Sequence, residues 1–354
     1  MTCTSIYRDI AARTDGAFML GIVGPVRTGK STFIKRFMEK LVIPQIDNTY
    51  MRERAKDELP QSGSGKSIMT AEPKFVPEEA VSITLDESTQ LKVRLVDCVG
   101  YMVDGAAGQF EDGMERLVAT PWFDHEVTLK EAAEKGTSRV ITEHSTIGIV
   151  ITCDGSICDI PRDRYIDAES RVINELKEIG KPFIVLMNST QPASEYAVSL
   201  AEEISEEYGV RCLPVSCQDL SEEDISHIVA SVLEEFPVTS MGFYLPEWLN
   251  ALPDTNTLKS EIFEELFSGC ESIVKVKDCF RMVEKLHDAD NINDSRIREK
   301  DLGCGNITVD IGLPKQLYYD TLTSQTGISV NSDADIISFF YEMSEVKKDY
   351  DRLR

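Results

Sequence analysis

Short runs of consecutive apolar residues alternate with amphipathic stretches through the first 240 residues of the chain. Residues 18–23 are apolar on both faces of an extended chain, and residues 31–40 after them place Phe33 and Phe37 at helical spacing. Such a run is typical of a strand buried on both sides, as in a parallel sheet covered by helices. The order of strand followed by helix recurs three times further along the chain: strand 146–152 with helix 166–178, strand 183–187 with helix 194–207, and strand 211–214 with helix 222–236. The pattern predicts an α/β fold with a mostly parallel sheet flanked by helices.

One pair of predicted strands interrupts this alternation. Residues 81–85 and 91–96 both have strand character, and only five residues separate them, which is too few for a helical crossover. We therefore expect one antiparallel hairpin strand in the sheet. The polar stretch 45–75 is too long for an ordinary connection, so we interpret it as a functional loop. Residues 101–143 are interpreted as an insertion with a helix over 129–141.

The alternation of apolar strands and helices stops beyond Pro237. Three helices are predicted there, at residues 258–266, 272–286 and 334–353, and one short strand is predicted at residues 307–311. The last helix is charged and amphipathic. We therefore place a domain boundary near residue 240. The sequence predicts a first domain over residues 1–240 and a smaller α+β domain over residues 241–354.

The charge balance and hydropathy exclude some classes of protein. Lys and Arg number 37 against 61 Asp and Glu, which gives a formal net charge of −24. A chain this acidic lacks the basic side chains that contacts with nucleic-acid phosphates require, so we expect no nucleic-acid partner. No apolar run approaches the length of a membrane span, so we expect no transmembrane segment. These features are typical of a globular cytoplasmic protein.

The nine cysteines do not form a recognised metal motif. There is no CxxC pair, and the pairs Cys153/Cys158 and Cys212/Cys217 are each spaced five apart, wider than structural zinc sites prefer. A zinc site from these four is the weaker alternative to reduced cysteines that pack as small apolar side chains. The sequence also has no HExxH and no GxSxG, so a metalloprotease or serine hydrolase lacks support.

The most specific motif lies between the first predicted strand and the first predicted helix. Residues 24–31, GPVRTGKS, match the phosphate-binding pattern GxxxxGK[ST] at every fixed position. In this motif backbone N–H groups turn inward around an anion, Lys30 bridges the outer phosphates, and the Ser31 hydroxyl contacts Mg²⁺. The motif predicts a P-loop NTPase. Its predicted nucleotide-binding residues are Gly24, Pro25, Val26, Arg27, Thr28, Gly29, Lys30, Ser31 and Thr32.

A second motif follows the predicted hairpin. Residues 97–100, DCVG, form a DxxG sequence at the end of a strand. A carboxylate there, from Asp97, can hold Mg²⁺ through water, and the Gly100 amide can detect a γ-phosphate. Thr70 in the long polar loop is predicted to bind Mg²⁺ only when the γ-phosphate is present, with Ser67 as its weaker competitor. The predicted metal ligands are Ser31, Thr70 and Asp97.

These motifs, in this order, resemble the translation-factor-related class of GTPases over residues 17–240. Three positions depart from that class. Residues 188–191, NSTQ, replace its guanine-reading NKxD element, Tyr101 stands where a water-positioning glutamine is common, and Arg27 stands where cation-activated members carry asparagine. Because guanine recognition depends on the missing aspartate, we expect ATP to bind better than GTP, with Asn188 and Thr190 among the groups that meet the base.

A narrower resemblance comes from the segments GPVRTGKSTFIKRFM, RERAKDELPQSGSGKSIMTAEPKFVP, VRLVDCVGYMV, EHSTIGIV and GKPFIVLMNST. They resemble the stage IV sporulation protein A family. The resemblance implies a slow ATPase that needs ATP and Mg²⁺, with Lys30, Thr70, Asp97 and Arg27 as its catalytic residues. It also implies a homopolymer that forms the basement layer of the bacterial spore coat, in the mother-cell cytoplasm on the outer surface of the forespore. Hydrolysis is then expected to drive the conformational change that polymerisation needs.

The resemblance also implies partners and an extent for the chain. The implied partners are a small amphipathic peptide of the forespore membrane and other spore-coat proteins. The family continues past the last residue of this sequence, so we expect the chain to stop within the family's middle region, without its C-terminal domain. The family has two adjacent threonines in the switch loop, whereas here Thr70 is followed by Ala71, so only Thr70 is assigned that role.

Two other functions stay open from the residues alone. A regulatory GTPase-type switch protein would need the NKxD element and would benefit from a basic surface, and neither is found in the sequence. A small-molecule kinase would need an acceptor pocket and a lid, and the hairpin with its DxxG sequence argues against that function. We therefore favour an ATP-hydrolysing assembly protein.

Overall fold

Two units make up the part of the chain that the structure, a computed structural model, describes: residues 9–46, 48–60, 73–84, 90–103, 110–111 and 114–354. The first unit reaches to Phe236 and includes Leu302–Cys304. The second comprises Pro237–Asp301 and Gly305–Arg354.

A six-stranded sheet organises the first unit. In chain order the strands of this unit are β1 (Ala17–Val23), β2 (Lys74–Thr84), β3 (Gln90–Asp97), β4 (Phe110–Glu111), β5 (Met114–Glu115), β6 (Leu117–Val118), β7 (Val127–Thr128), β8 (Ile147–Cys153), β9 (Phe183–Asn188) and β10 (Cys212–Val215). The order across the sheet is β10-β9-β8-β1-β3-β2, and every neighbouring pair is parallel except β2 with β3. The predicted α/β class with one antiparallel hairpin strand is confirmed. Because the other five strands are parallel, their carboxyl ends meet at one edge of the sheet.

Helices flank this sheet and bury its strands. Every residue of β8 and of β9 is buried, as the uninterrupted apolar runs predict. Helix α4 (Ile166–Ile179) turns Val172, Ile173 and Leu176 into the core, and each fully buried side chain of this size contributes about 1.5–3 kcal/mol. The described helices are α1 (Lys30–Phe37), α2 (Thr49–Asp57), α3 (Leu129–Glu143), α4 (Ile166–Ile179), α5 (Glu195–Tyr208) and α6 (Glu222–Leu233).

The polar stretch interpreted as a loop contains regular structure. Helix α2 lies inside it, and β2 begins at Lys74, earlier than predicted, with an irregularity in its pairing between Val76 and Val81. Ala55 is the buried residue of α2, so the helix has no apolar stripe that periodicity could detect. Polar contacts hold it instead, since the Asn48 side chain caps its first turn and Arg52 donates to the carbonyl of Ile46.

The second unit is built on a three-stranded sheet, in agreement with the predicted smaller α+β domain. The elements of this unit are β11 (Ser240–Tyr244), α7 (Thr257–Cys270), α8 (Val276–Leu286), β12 (Asp294–Asp301), β13 (Asn306–Gly312), α9 (Lys315–Thr326) and α10 (Asp333–Leu353). Strand β13 lies between the other two strands, parallel to β11 and antiparallel to β12. None of the helices described in either unit has both the length and the apolar character needed to cross a bilayer.

Candidate nucleotide-binding site

The phosphate-binding loop connects β1 to α1 at the carboxyl edge of the sheet, and its backbone needs glycine at two places. Gly24 has φ 137°, and a Cβ atom there would lie 2.3 Å from the carbonyl oxygen of Ile151. Gly29 has φ 99°, and its Cβ atom would lie 2.3 Å from Nδ2 of Asn188. Both φ values lie in the region that side chains other than glycine rarely adopt. The fixed glycines of the motif are therefore required by the loop's shape.

Lys30 is buried within this loop. Its Nζ donates to the carbonyl of Pro25 at 2.6 Å and, more weakly, to that of Gly24 at 3.4 Å. Burial lowers the pKa of the ammonium group, while nearby Cys98 and Asp97 act in the opposite direction. The sequence motif thus places a desolvated cation at the N-terminus of α1, where a phosphate group would also meet backbone N–H groups.

Ser31 and Asp97 come together from the two motifs. The Ser31 hydroxyl donates to Oδ2 of Asp97 at 2.7 Å. The other carboxylate oxygen, Oδ1, is buried without a hydrogen-bond partner among the residues that the structure describes. Burial raises the pKa of the Asp97 carboxyl, and the Ser31 hydrogen bond and the Lys30 charge oppose that rise. An ionised carboxylate with an unsatisfied buried oxygen is a site of the kind that a cation stabilises.

These oxygen atoms fit Mg²⁺, which prefers hard oxygen ligands. Over the described residues, no group of three or more His, Cys, Asp or Glu side chains could hold a metal alone. A nucleotide-dependent Mg²⁺ site needs no such group, because it draws on one or two protein oxygens, substrate phosphates and water. Thr70, the third predicted ligand, and its competitor Ser67 lie outside the described residues.

The loop after β3 is joined to the phosphate-binding loop by main-chain hydrogen bonds. The N–H of Tyr101 donates to the carbonyl of Gly24 at 3.2 Å, and the N–H of Val26 donates to the carbonyl of Tyr101 at 2.9 Å. Gly100 has φ 94°, and a Cβ atom there would lie 2.2 Å from the Gly24 oxygen and 2.6 Å from Nζ of Lys30. Close packing is therefore a second reason for glycine at this position, besides the proposed contact with a γ-phosphate.

Tyr101 turns its side chain into the core. The ring is 1% exposed, the hydroxyl donates to the carboxylate of Glu175 on α4, and the Arg171 guanidinium lies 5.2 Å from the ring centroid. Burial and the hydrogen bond to Glu175 raise the pKa of the Tyr101 hydroxyl. In this arrangement Tyr101 does not face the phosphate-binding loop with its side chain, so it does not replace the water-positioning glutamine of the GTPase class.

Asn188 links three loops at the other end of the site. Its Nδ2 donates to the carbonyl of Thr28 at 2.9 Å, and its Oδ1 accepts from the N–H of Cys217 at 2.9 Å. Both ends of the amide are thus bonded to backbone. This geometry supports a positioning role for Asn188, which holds the loop after β10 against the phosphate-binding loop.

A cavity of about 310 Å³ opens beside Asn188, at the carboxyl ends of β9 and β10. Thr190 and Gln191, which follow Asn188 and Ser189 in the chain, are exposed. Sequence reasoning missed the contribution of the loop after β10, although the carboxyl end of that strand marks the same sheet edge. The lining residues are Gly29, Thr32, Ile157, Asn188, Ser189, Thr190, Ser216, Gln218 and Asp219.

Arg27 lies in the middle of the phosphate-binding loop, in the left-handed conformation with φ 64°.

The four cysteines of the zinc alternative do not form a metal site, since the described part of the chain holds no such cluster. Cys153, Cys212 and Cys217 are buried thiols without a disulfide. Burial raises the pKa of the Cys153 thiol to about 11, so it is protonated at neutral pH.

Comparison with known families decides how this site is to be understood. The family model for the ATPase domain of stage IV sporulation protein A matches residues 1–237, and the model for the middle domain of the same protein matches residues 238–354. The chain belongs to the stage IV sporulation protein A family. Its first unit carries the ATPase domain of that family, and the P-loop described above lies in it. The chain is thus an ATPase.

Three relatives named stage IV sporulation protein A match nearly the whole chain. The protein from Clostridioides difficile (strain 630) is 44% identical over 349 residues, which are 99% of this chain and 71% of the relative. The proteins from Bacillus anthracis and Bacillus subtilis (strain 168) are 42% and 41% identical, each over 100% of this chain and 72% of the relative.

Proposed function

We propose that this chain binds ATP with Mg²⁺ at the P-loop, hydrolyses it slowly, and uses the accompanying conformational change to enter a homopolymer. The observation that carries the proposal is the meeting of Lys30, Ser31 and Asp97 at the start of α1, with one buried Asp97 oxygen that lacks a described partner. Phosphoryl transfer to water requires mainly positioning and charge neutralisation, which such a site can supply.

Each residue has a stated role in this proposal. Backbone N–H groups of residues 27–31 surround the phosphates, and the Lys30 ammonium moves from the loop carbonyls onto the outer phosphates. The Ser31 hydroxyl and the Asp97 carboxylate, with Thr70 as a third ligand, would hold Mg²⁺, which would supply charge neutralisation at the phosphates. The Gly100 amide contacts the γ-phosphate. Arg27 acts as a built-in cation at the position where cation-activated GTPases carry asparagine.

ATP is the proposed substrate because the guanine-reading groups are missing. Gln191 stands at the place of the aspartate that accepts two hydrogen bonds from guanine, and a neutral amide cannot reproduce that charged acceptor. Ser189 replaces the lysine of the same element and is buried. The base then meets the cavity beside Thr190, Ser216 and Asp219, whose hydroxyl and carboxylate oxygens suit the exocyclic amine of adenine.

The family resemblance supports the cellular role that we propose. The polymer forms the basement layer of the spore coat on the outer surface of the forespore, in the mother-cell cytoplasm. A small amphipathic peptide of the forespore membrane recruits it, and other spore-coat proteins build on it. The formal charge of −24 fits a protein that does not bind nucleic acid.

Turnover with ATP and with GTP, measured side by side at several protein concentrations, tests the proposal. We expect faster turnover with ATP, and a specific activity that rises with protein concentration as assembly proceeds. A clear preference for GTP would overturn the base assignment. A specific activity independent of concentration, with no ATP-dependent increase in particle size, would separate hydrolysis from assembly and contradict the proposed coupling.

A further inference from the structure

Helix α10 of the second unit has an apolar stripe that the proposed ATPase cycle does not use. Six apolar positions of the helix recur at alternating spacings of three and four residues, which is the heptad pattern of a coiled coil, while the exposed Ile337, Phe340 and Tyr341 lie outside that pattern. In heptad notation the a positions are Ile336, Met343 and Tyr350, and the d positions are Phe339, Val346 and Leu353.

The stripe is exposed over most of its length. Val346 is 62% exposed and Leu353 is 89% exposed, and no residue of the helix is buried. Ile336 and Phe339, at the first turns, are half-buried. An apolar surface of this kind, continuous along one face of a helix, is typical of a surface that a partner covers.

Charged residues flank the second half of the stripe with one sign on each side. The g positions Asp335, Glu342 and Asp349 are acidic, and the e positions Lys347 and Arg354 are basic, while the first e position is Phe340. Along the outer face, Lys348 pairs with Glu345 at 2.7 Å within the helix. Neither Glu342 nor Lys347 forms an ion pair with any residue that the structure describes.

The signs of these charges select one partner and one orientation. In a parallel pair of identical helices, a g position faces the e position five residues further along the other helix, so Glu342 meets Lys347 of the second copy and Asp349 meets its Arg354. In an antiparallel pair, g would face g and e would face e, which brings like charges together. The pattern therefore fits a parallel pairing of this helix with itself.

We propose that α10 pairs in parallel and in register with α10 of a second copy of this chain, as a two-stranded coiled coil. This contact rests on the self-assembly proposed above and names one surface that carries it. The six a and d positions span fewer than three heptads, so a single pair is weak. Many such contacts in one assembly act together through their high effective concentration.

A charge reversal at one of two adjacent lysines tests the contact. Lys347→Glu lies in the seam, whereas Lys348→Glu makes the same change on the outer face and serves as the matched control. Association of the whole chain is measured by sedimentation velocity over a range of concentrations, without nucleotide. We expect Lys347→Glu to weaken association by about tenfold, since it turns two attractive pairs into two repulsive ones, and Lys348→Glu to have little effect.

The double variant Glu342→Lys/Lys347→Glu restores opposite charges in a parallel pair and is expected to recover association. Equal effects of the two lysine variants, no recovery in the double variant, or an unmodified chain that stays monomeric at every concentration would overturn the proposal. Recovery in the double variant also excludes a different protein, or another part of the same chain, as the occupant of the stripe.

A cysteine cross-link tests the register. Val346→Cys is expected to give a disulfide-linked dimer under mild oxidation, because d positions of parallel in-register helices face each other, and Ser344→Cys on the outer face is not. The unmodified chain, with nine cysteines, sets the background. Equal cross-linking of both variants would contradict the register. Wild-type ATP turnover and ATP-driven assembly in Lys347→Glu would leave the proposed function standing while the helix contact fell.

Discussion

The two ends of the candidate nucleotide site differ in whether backbone or side chains form them. At the phosphate end, the shape comes from backbone: Gly24, Gly29 and Gly100 have positive φ values and leave no room for a Cβ atom. At the proposed base end, the cavity is lined by side chains such as Thr190 and Asp219, which come from loops after two different strands. A backbone-built site constrains the fold around it, whereas side chains on exposed loops can change without disturbing the sheet. We therefore expect phosphate chemistry to be the fixed part of this ATPase and the choice of base to be the adjustable part.

Lys30→Ala tests the fixed end and has the largest expected effect. Without the buried ammonium, the outer phosphates lose their fixed cation, and ATP turnover should fall by about 100-fold or more. Lys35→Ala removes the same charge from the partly exposed side of α1 and is the matched control. Steady-state turnover of both variants provides the measurement. Activity of Lys30→Ala near that of the control would remove the P-loop from the mechanism.

Gln191→Asp tests the adjustable end. The substitution returns the charged acceptor for guanine on an exposed loop, so it should raise turnover of GTP relative to ATP by about tenfold or more while the fold is unchanged. Thr190→Asp places the same charge one residue away and should not produce the shift. The ratio of kcat/KM for the two nucleotides is the quantity to compare. If both variants shift equally, general electrostatics and not base recognition explains the result.

Tyr101→Phe tests whether the Tyr101 side chain belongs to the core or to the reaction, and it has the smallest expected effect on turnover. It removes the hydroxyl that donates to Glu175 and leaves that carboxylate short of a partner, which should lower the free energy of unfolding by about 1–3 kcal/mol. Turnover should stay close to that of the unmodified chain, because the side chain lies in the core. Tyr196→Phe, at an exposed tyrosine, is the control for urea unfolding.

A large loss of turnover in Tyr101→Phe with unchanged stability would assign the hydroxyl to the reaction. Tyr101 would then act on the attacking water after a rearrangement, and the comparison between a rigid phosphate end and a changeable base end would need revision.

Burial on both faces explains which strands the sequence predicted well. Strands β8 and β9 are buried at every position, so apolar runs alone locate them to within one residue. Strand β12, DSRIREKD, lies largely exposed in the small sheet and was not predicted, because its polar composition resembles a loop. Helix α2 was missed for the same reason. Polar elements held by caps and ion pairs leave little periodic signal.

The candidate site divides in the same way. The phosphate-binding loop and residues 97–100 could be assigned because local spacing encodes their backbone geometry. The contacts of Asn188 with Thr28 and Cys217 could not be anticipated, since they join segments far apart in the chain. The same is true of Tyr101 and Glu175. Long-range side-chain partners depend on the packed fold and not on local pattern.

The two main-chain hydrogen bonds between the loop after β1 and Tyr101 bear on the thermodynamics of nucleotide binding. They hold the phosphate-binding loop in shape from both sides, through the carbonyl of Gly24 and the N–H of Val26. Ordering a flexible loop during binding would subtract its conformational entropy from the affinity. Here that ordering is completed when the sheet folds. Affinity for the triphosphate then depends on how far the Lys30 side chain and the metal ligands must rearrange.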